Sequence, residues 1–167
     1  MASSSPPLSP PFITAPLSTA AGEAIADPMA ALKGKAVALY FSAHWCPPCK
    51  RFTPILKDLY EEVNADDKQF EVIFVSSDED EAARTKYMEE MHGDWLMCDW
   101  GERDALKQRF GCFAAKEQEK FPGMQRRNGI PALVIVNPDG SEVVFGDAAC
   151  LLVEKQGPIV VTSWPKW

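Results

Sequence analysis

Between residues 35 and 63 the hydrophobic pattern changes period once, and the change falls on a pair of cysteines. "KAVALYFSA" (35–43) is apolar without alternation. A strand reads this way when both of its faces are covered, as in a sheet with helices above and below. From Cys49 onward, apolar residues recur at spacings of three and four, at Phe52, Ile55, Leu56, Leu59, Tyr60 and Val63. That is the stripe of a helix lying on a core. Pro54 interrupts the stripe and is expected to kink the helix. A buried strand therefore hands over to a helix across "HWCPPC" (44–49).

The rest of the chain follows the same alternation. "FEVIFVSS" (70–77) reads as a second buried strand, with a helix over about 79–91, while "WLMCDW" (95–100) reads equally as strand or loop. "RDALKQRFG" (103–111) is helical, with Gly111 at the C′ position. "IPALVIV" (130–136), the turn "NPDG" (137–140) and "SEVVF" (141–145) make a β-hairpin. "AACLLVEK" (148–155) is the last expected helix, and "GPIVVTSWPKW" (157–167) a tail that packs its tryptophans. This order predicts an α/β fold with a central mixed sheet flanked by helices.

A chain of 167 residues buries a core of its own as one domain. Its net charge of −7 gives no electrostatic footprint for nucleic acid or an anionic membrane. The acidic run "SSDEDE" (76–81) is expected to be a solvated loop and helix start rather than a metal cage, since Asp and Glu favour a helix's first turn. Residues 1–29 are rich in Pro, Ser and Ala, with no Lys or Arg before Lys33. They are expected to be a disordered leader to a domain spanning 30–167. The leader has neither the basic start and unbroken apolar run of a signal peptide nor the arginines of a transit peptide. No run approaches the roughly 18 apolar residues of a membrane span. The expected location is the cytoplasm or the nucleus. In that setting an odd count of five cysteines argues against a disulfide framework. Cys98, Cys112 and Cys150 are expected in the core, which leaves Cys46 and Cys49.

With Cys46 as N-cap, Pro47, Pro48 and Cys49 occupy the first three helical positions. Proline costs no hydrogen bond there and brings its φ already set. Free N–H groups and the positive end of the helix dipole then point at the Cys46 sulfur and favour its thiolate. Cys49, one turn along, is placed to attack a mixed disulfide on Cys46. The pair is expected to be catalytic, Cys46 an exposed nucleophile and Cys49 a shielded resolving thiol. A zinc site would need a second pair at ligand spacing, and His44, His92, Cys98, Cys112 and Cys150 do not supply one. A permanent disulfide closing so small a loop would add little stability. Trp45 is expected to form an apolar shoulder for incoming disulfides. His44 either stabilises the thiolate as imidazolium or lies on the surface. Pro131, in "NGIPA" (128–132), stands where a cis bond is plausible. Against the cysteines it would leave the Ile130 backbone open to an extended substrate; it reads equally as an ordinary proline at the start of a strand.

"LYFSAHWCPPCKRFTPIL" (39–56), "FEVIFVSSDED" (70–80) and "GIPAL" (129–133) resemble the thioredoxin superfamily, and within it the tryparedoxin and nucleoredoxin branch. The resemblance runs from about residue 30 to 145. It implies a thioredoxin-like fold and a thiol–disulfide oxidoreductase, a protein-disulfide reductase, in which Cys46 is the nucleophile. Trp45, Ile130 and a cis Pro131 would contact substrate. The alternative it carries is a redox-sensing binding module of nucleoredoxin type with little turnover. The implied partners are disulfide-containing proteins and an electron donor, either a low-molecular-weight dithiol or a reductase. No cofactor or metal is implied, and a monomer is expected. Three departures stand out. Ser77 occupies a place where tryparedoxins usually carry tryptophan, closer to the nucleoredoxin pattern. The C-terminal arginine with which tryparedoxins help hold trypanothione has no clear match in "GDAACLLVEKQG" (146–157). Tyr40 stands where thioredoxins proper carry a buried aspartate, so proton transfer at Cys49 must use water or another group. "CFAAKEQEKFPGMQRR" (112–127) also looks like an insertion. Its Arg126 and Arg127 would reach a carboxylate-bearing thiol or the Cys46 thiolate, or else form a solvated loop pair.

Overall fold

A computed structural model describes residues 16–167. Its six strands are β1 (Leu17–Ser18), β2 (Ala36–Ser42), β3 (Phe70–Ser76), β4 (Leu96–Cys98), β5 (Ala132–Val136) and β6 (Glu142–Gly146). They form one sheet in the order β1-β4-β3-β2-β5-β6. β2, β3 and β4 run parallel, whereas β5 and β6 join antiparallel on one side and β1 on the other. The helices are α1 (Pro28–Leu32), α2 (Pro47–Val63), α3 (Glu81–Met91), α4 (Arg103–Phe110) and α5 (Asp147–Gln156).

β2 is central and wholly buried, which explains its unbroken apolar sequence. Ala36, Ala38 and Tyr40 point into one core with Phe52 and Leu56 of α2 and Val153 of α5. Val37, Leu39 and Phe41 point into a second core with Leu32 of α1 and Phe110 of α4. Removing any of these large side chains from so closed an interior costs about 2–5 kcal/mol. The α2 helix runs through Pro54 as one element. Gly111 ends α4 in the left-handed region at φ 65°, where an L side chain is strained. In the tail, Trp164 packs on Phe70, their ring centroids 5.5 Å apart, and Trp167 Nε1 donates to the Val136 carbonyl.

Three expectations change. Of the leader expected over 1–29, the described part carries structure: Leu17 and Ser18 pair with Cys98 and Met97, and Asp27 caps α1 through its side chain. Residues 1–15 lie outside the described residues. "WLMCDW" divides into strand β4 and a 3₁₀ turn at Trp100–Glu102, since β4 is the strand that β1 covers. In the acidic run, Asp80 does cap α3, but Asp78 is buried, because the backbone N–H of His44 and the hydroxyl of Ser76 donate to its carboxylate at 2.8 and 2.6 Å. No helix among the described residues is long and apolar enough to cross a membrane.

Candidate active site at the mouth of helix α2

The carboxyl end of β2 delivers Ala43, His44 and Trp45 directly to the start of α2. Cys46 is the N-cap in extended backbone, Pro47 and Pro48 follow, and the Cys49 N–H donates to Cys46 Sγ at 3.3 Å. The sulfur thus occupies the position at which a helix N-terminus binds an anion. The Ile130–Pro131 peptide is cis, and the Ile130 carbonyl lies 3.9 Å from Cys46 Sγ. Ala43, Cys46, Cys49 and Ile130 form one small apolar cluster. The Cys46 residue is therefore only 4% exposed, not the open nucleophile expected. Cys49 is fully covered, and burial pushes its thiol well up.

Beneath Cys49 lies a chain of hydroxyls. Thr53 donates to the Cys49 carbonyl at 2.7 Å, and its oxygen stands 2.7 Å from the Tyr40 hydroxyl and 2.5 Å from that of Tyr87. With the Thr53 proton committed to the carbonyl, both tyrosines must donate to Thr53. Tyr87 is then left to accept from Ser42, at 2.7 Å. Ser42 also interacts with the Cys49 thiol. Tyr40 thus replaces a buried charge with a neutral network that includes a hydroxyl at the resolving sulfur.

Trp45 is held in a clamp. Its Nε1 donates to the Ser77 carbonyl at 3.0 Å, and Lys116 Nζ sits 3.8 Å from its ring centroid, while 41% of the residue stays exposed. The clamp has a buried foundation. The Ser77 hydroxyl and Ala114 N–H donate to Glu117 Oε2 at 2.7 and 2.8 Å, and Lys107 Nζ lies 2.5 Å from Glu117 Oε1. Burial pushes the Glu117 carboxyl up, but these donors, Lys107 first, outweigh burial and hold it below the usual range. The segment expected as an insertion is therefore a brace for the cysteine loop, built on the 3₁₀ helix Ala115–Lys120.

The other candidates separate. His44 pairs with Glu90 at 3.2 Å and stacks on Tyr87, tying the loop to α3. Arg127 is forked by Glu142 and lies over Phe145, which engages its guanidinium within the loop, nearer the second of the two alternatives expected for it. Arg126 is exposed and reaches the Phe113 carbonyl at 3.5 Å. Cys98, Cys112 and Cys150 are buried, and burial pushes each thiol up to about 12. Among the described residues no group of three or more His, Cys, Asp or Glu side chains is placed to hold a metal.

A thioredoxin-like family model matches residues 34–142. The tryparedoxin of Trypanosoma brucei brucei is 32% identical over 126 residues, 75% of this chain and 77% of that protein. The chain belongs to the thioredoxin-like family, in its tryparedoxin and nucleoredoxin branch. The nucleoredoxin of Danio rerio is 36% identical over 135 residues, 81% of this chain. This chain spans 27% of that relative and 17% of a probable nucleoredoxin 1 from Arabidopsis thaliana. Among solved structures, thioredoxin from Wuchereria bancrofti superposes with a TM-score of 0.63 at 38% identity, over 90% of this chain and 93% of that one. The sheet and helices described above are thus a thioredoxin-like fold.

Ser42, Thr53, Tyr87, Lys107 and Glu117 were not picked out from the sequence, and Ser77 was noted there only as a departure from the tryparedoxin pattern. Each looks locally like an ordinary strand, helix or loop residue. The one hint was Tyr40, whose lack of a charge demanded another proton partner for Cys49.

Proposed function

We propose that this chain is a thiol–disulfide oxidoreductase that reduces protein disulfides through Cys46 and Cys49. The observation that carries the reading is the pairing at the helix mouth: Cys46 Sγ accepts a backbone N–H from α2, and the buried Cys49 lies one turn inside. Attack by the Cys46 thiolate on a substrate disulfide forms a Cys46–substrate bond and expels the first substrate thiolate. Cys49 then gives up its proton, attacks Cys46 Sγ and expels the second. The 46–49 disulfide forms, and the substrate gains two electrons and two protons, one from Cys49 and one from water. The Cys49 proton passes to the departing second thiolate, and the Ser42 hydroxyl stays beside the Cys49 sulfur as a neutral partner. Trp45, Ile130 and Pro131 contact the substrate. An external dithiol, small or carried by a reductase, returns the electrons. A reducing compartment, the cytoplasm or nucleus, suits that cycle.

The test is a thiol-trapping redox titration read by intact mass and peptide mapping. A reversible two-electron couple confined to Cys46 and Cys49, with a midpoint of roughly −180 to −270 mV, is expected. Cys46→Ser should abolish turnover, and Cys49→Ser should accumulate the mixed disulfide. A pair that resists oxidation, or turnover that survives Cys46→Ser, refutes the reading.

A further inference from the structure

The cysteine loop borders a groove that bond exchange itself does not need. A cleft of about 700 Å³ runs between α2 and α5 and reaches the active-site loops at Pro48 and Pro131. That volume lies within the range of sites that enclose a ligand. Ile55 of α2 and Leu151 of α5 line it and are 39% and 51% exposed, although both are aliphatic. Asp147 and Glu154, both on α5, add two carboxylates, against the single guanidinium of Arg51 on α2. Asp147 shares one carboxylate oxygen with the Asn128 amide at 3.2 Å, and Glu154 has no ion pair among the described residues. The lining is therefore apolar at its centre and net anionic, in a chain of net charge −7.

Reach decides what kind of molecule fits. Ile55 lies nine residues beyond Cys46 along α2, about 13 Å at 1.5 Å per residue. An occupant that meets both the Cys46 sulfur and Ile55 must extend over about four residues of polypeptide.

We propose that this groove receives the polypeptide flanking the target disulfide, and selects segments in which an aliphatic side chain stands beside a lysine or arginine. The inference rests on the oxidoreductase reading and names its substrate class. The aliphatic side chain covers Ile55 and Leu151, while the cation meets Glu154 and the open oxygen of Asp147. An acidic flanking segment is repelled by the same pair and meets only Arg51.

The test uses three synthetic disulfide-linked peptides, identical except for Leu-Lys, Leu-Gln or Leu-Glu placed three and four residues from the cysteine. Fully reduced protein is mixed with each, and the single-turnover rate of peptide reduction is measured at low and high salt. Reduction should be fastest for Lys and slowest for Glu. The expected spread is about fivefold at low salt, from a pair of weak exposed charge interactions, and narrows at 0.5 M salt. Glu154→Lys should erase or invert the order, and Leu151→Ser should slow all three peptides. Equal rates for the three peptides, or an order untouched by Glu154→Lys, overturn the inference while leaving the oxidoreductase reading intact. Failure to reduce any of the three overturns the oxidoreductase reading itself. Sedimentation that finds the groove closed by a second copy, with Leu151→Ser restoring the monomer, also overturns the inference.

Discussion

Glu117→Gln isolates the charge on which the cysteine loop is braced. Lys107 is 0% exposed, and after Glu117 Oε1 at 2.5 Å its nearest counter-charge is Asp104 Oδ1 at 3.9 Å. The variant leaves an ammonium in the interior with only that weaker neighbour. Breaking a buried pair from one side costs about 3–5 kcal/mol. A ceiling exists, because the lysine can shed its proton. From an ordinary pKa near 10.4, neutralisation at pH 7 costs about 4.6 kcal/mol at roughly 1.36 kcal/mol per unit. The expected loss is therefore about 3–4.6 kcal/mol. In a domain of this size each kcal/mol lowers Tm by about 2–4 °C, so the melt should fall by roughly 6–18 °C. Lys107→Met combined with Glu117→Gln should recover much of this, since no charge is then stranded. The effect also carries a pH signature. The folded Glu117 carboxyl is held below its unfolded value, near 4.3, so its contribution is present above that pH and is lost as pH falls further. Calorimetry on the wild type, both single variants and the double variant checks the cycle. A Glu117→Gln melt within about 2 °C of wild type, or a double variant no more stable than Glu117→Gln, would refute the account.

Burial lowers the His92 imidazole to about 3. Its unfolded value is near 6.5, so stability present above pH 6.5 should decline by about 2 kcal/mol on acidifying to pH 5. His92→Asn should remove that slope in denaturant titrations, and an unchanged slope would dismiss the buried neutral histidine. With Cys98, Cys112 and Cys150 near 12, iodoacetamide at pH 8 should label only Cys46 rapidly in the reduced native protein. Rapid native labelling of any of those three would contradict their burial. Tyr87→Phe breaks the hydroxyl chain between Ser42 and Thr53 and should cost about 1–3 kcal/mol of stability. It should also lengthen the life of the Cys46 mixed disulfide several-fold in quenched-flow traps, while leaving the first attack unchanged; equal lifetimes would show that the hydroxyl chain does not assist Cys49.

The division between what the sequence tells and what it hides follows the range of the forces involved. Continuous apolar runs gave β2, β3 and β5 because a strand covered on both faces has no polar side to show. The Cys-Pro-Pro-Cys turn was legible because N-capping and proline tolerance act within one helical turn, and Gly111 because a left-handed cap excludes a Cβ. The pairing of Leu17 and Ser18 with β4 was missed, since a two-residue strand carries no period and gains its hydrogen bonds from a partner about 80 residues away. Asp78 read as solvated for the same reason, its donors being a loop N–H and a serine arranged by the ends of two strands. The sequence by itself determined the fold class, the redox pair and the geometry of the turn that holds it. Tertiary structure alone decided how far Cys46 is covered, which hydroxyl meets Cys49, and that Lys107, Glu117 and Ser77 brace Trp45. Those contacts join residues up to 84 apart, and only the order of strands in the sheet brings them together.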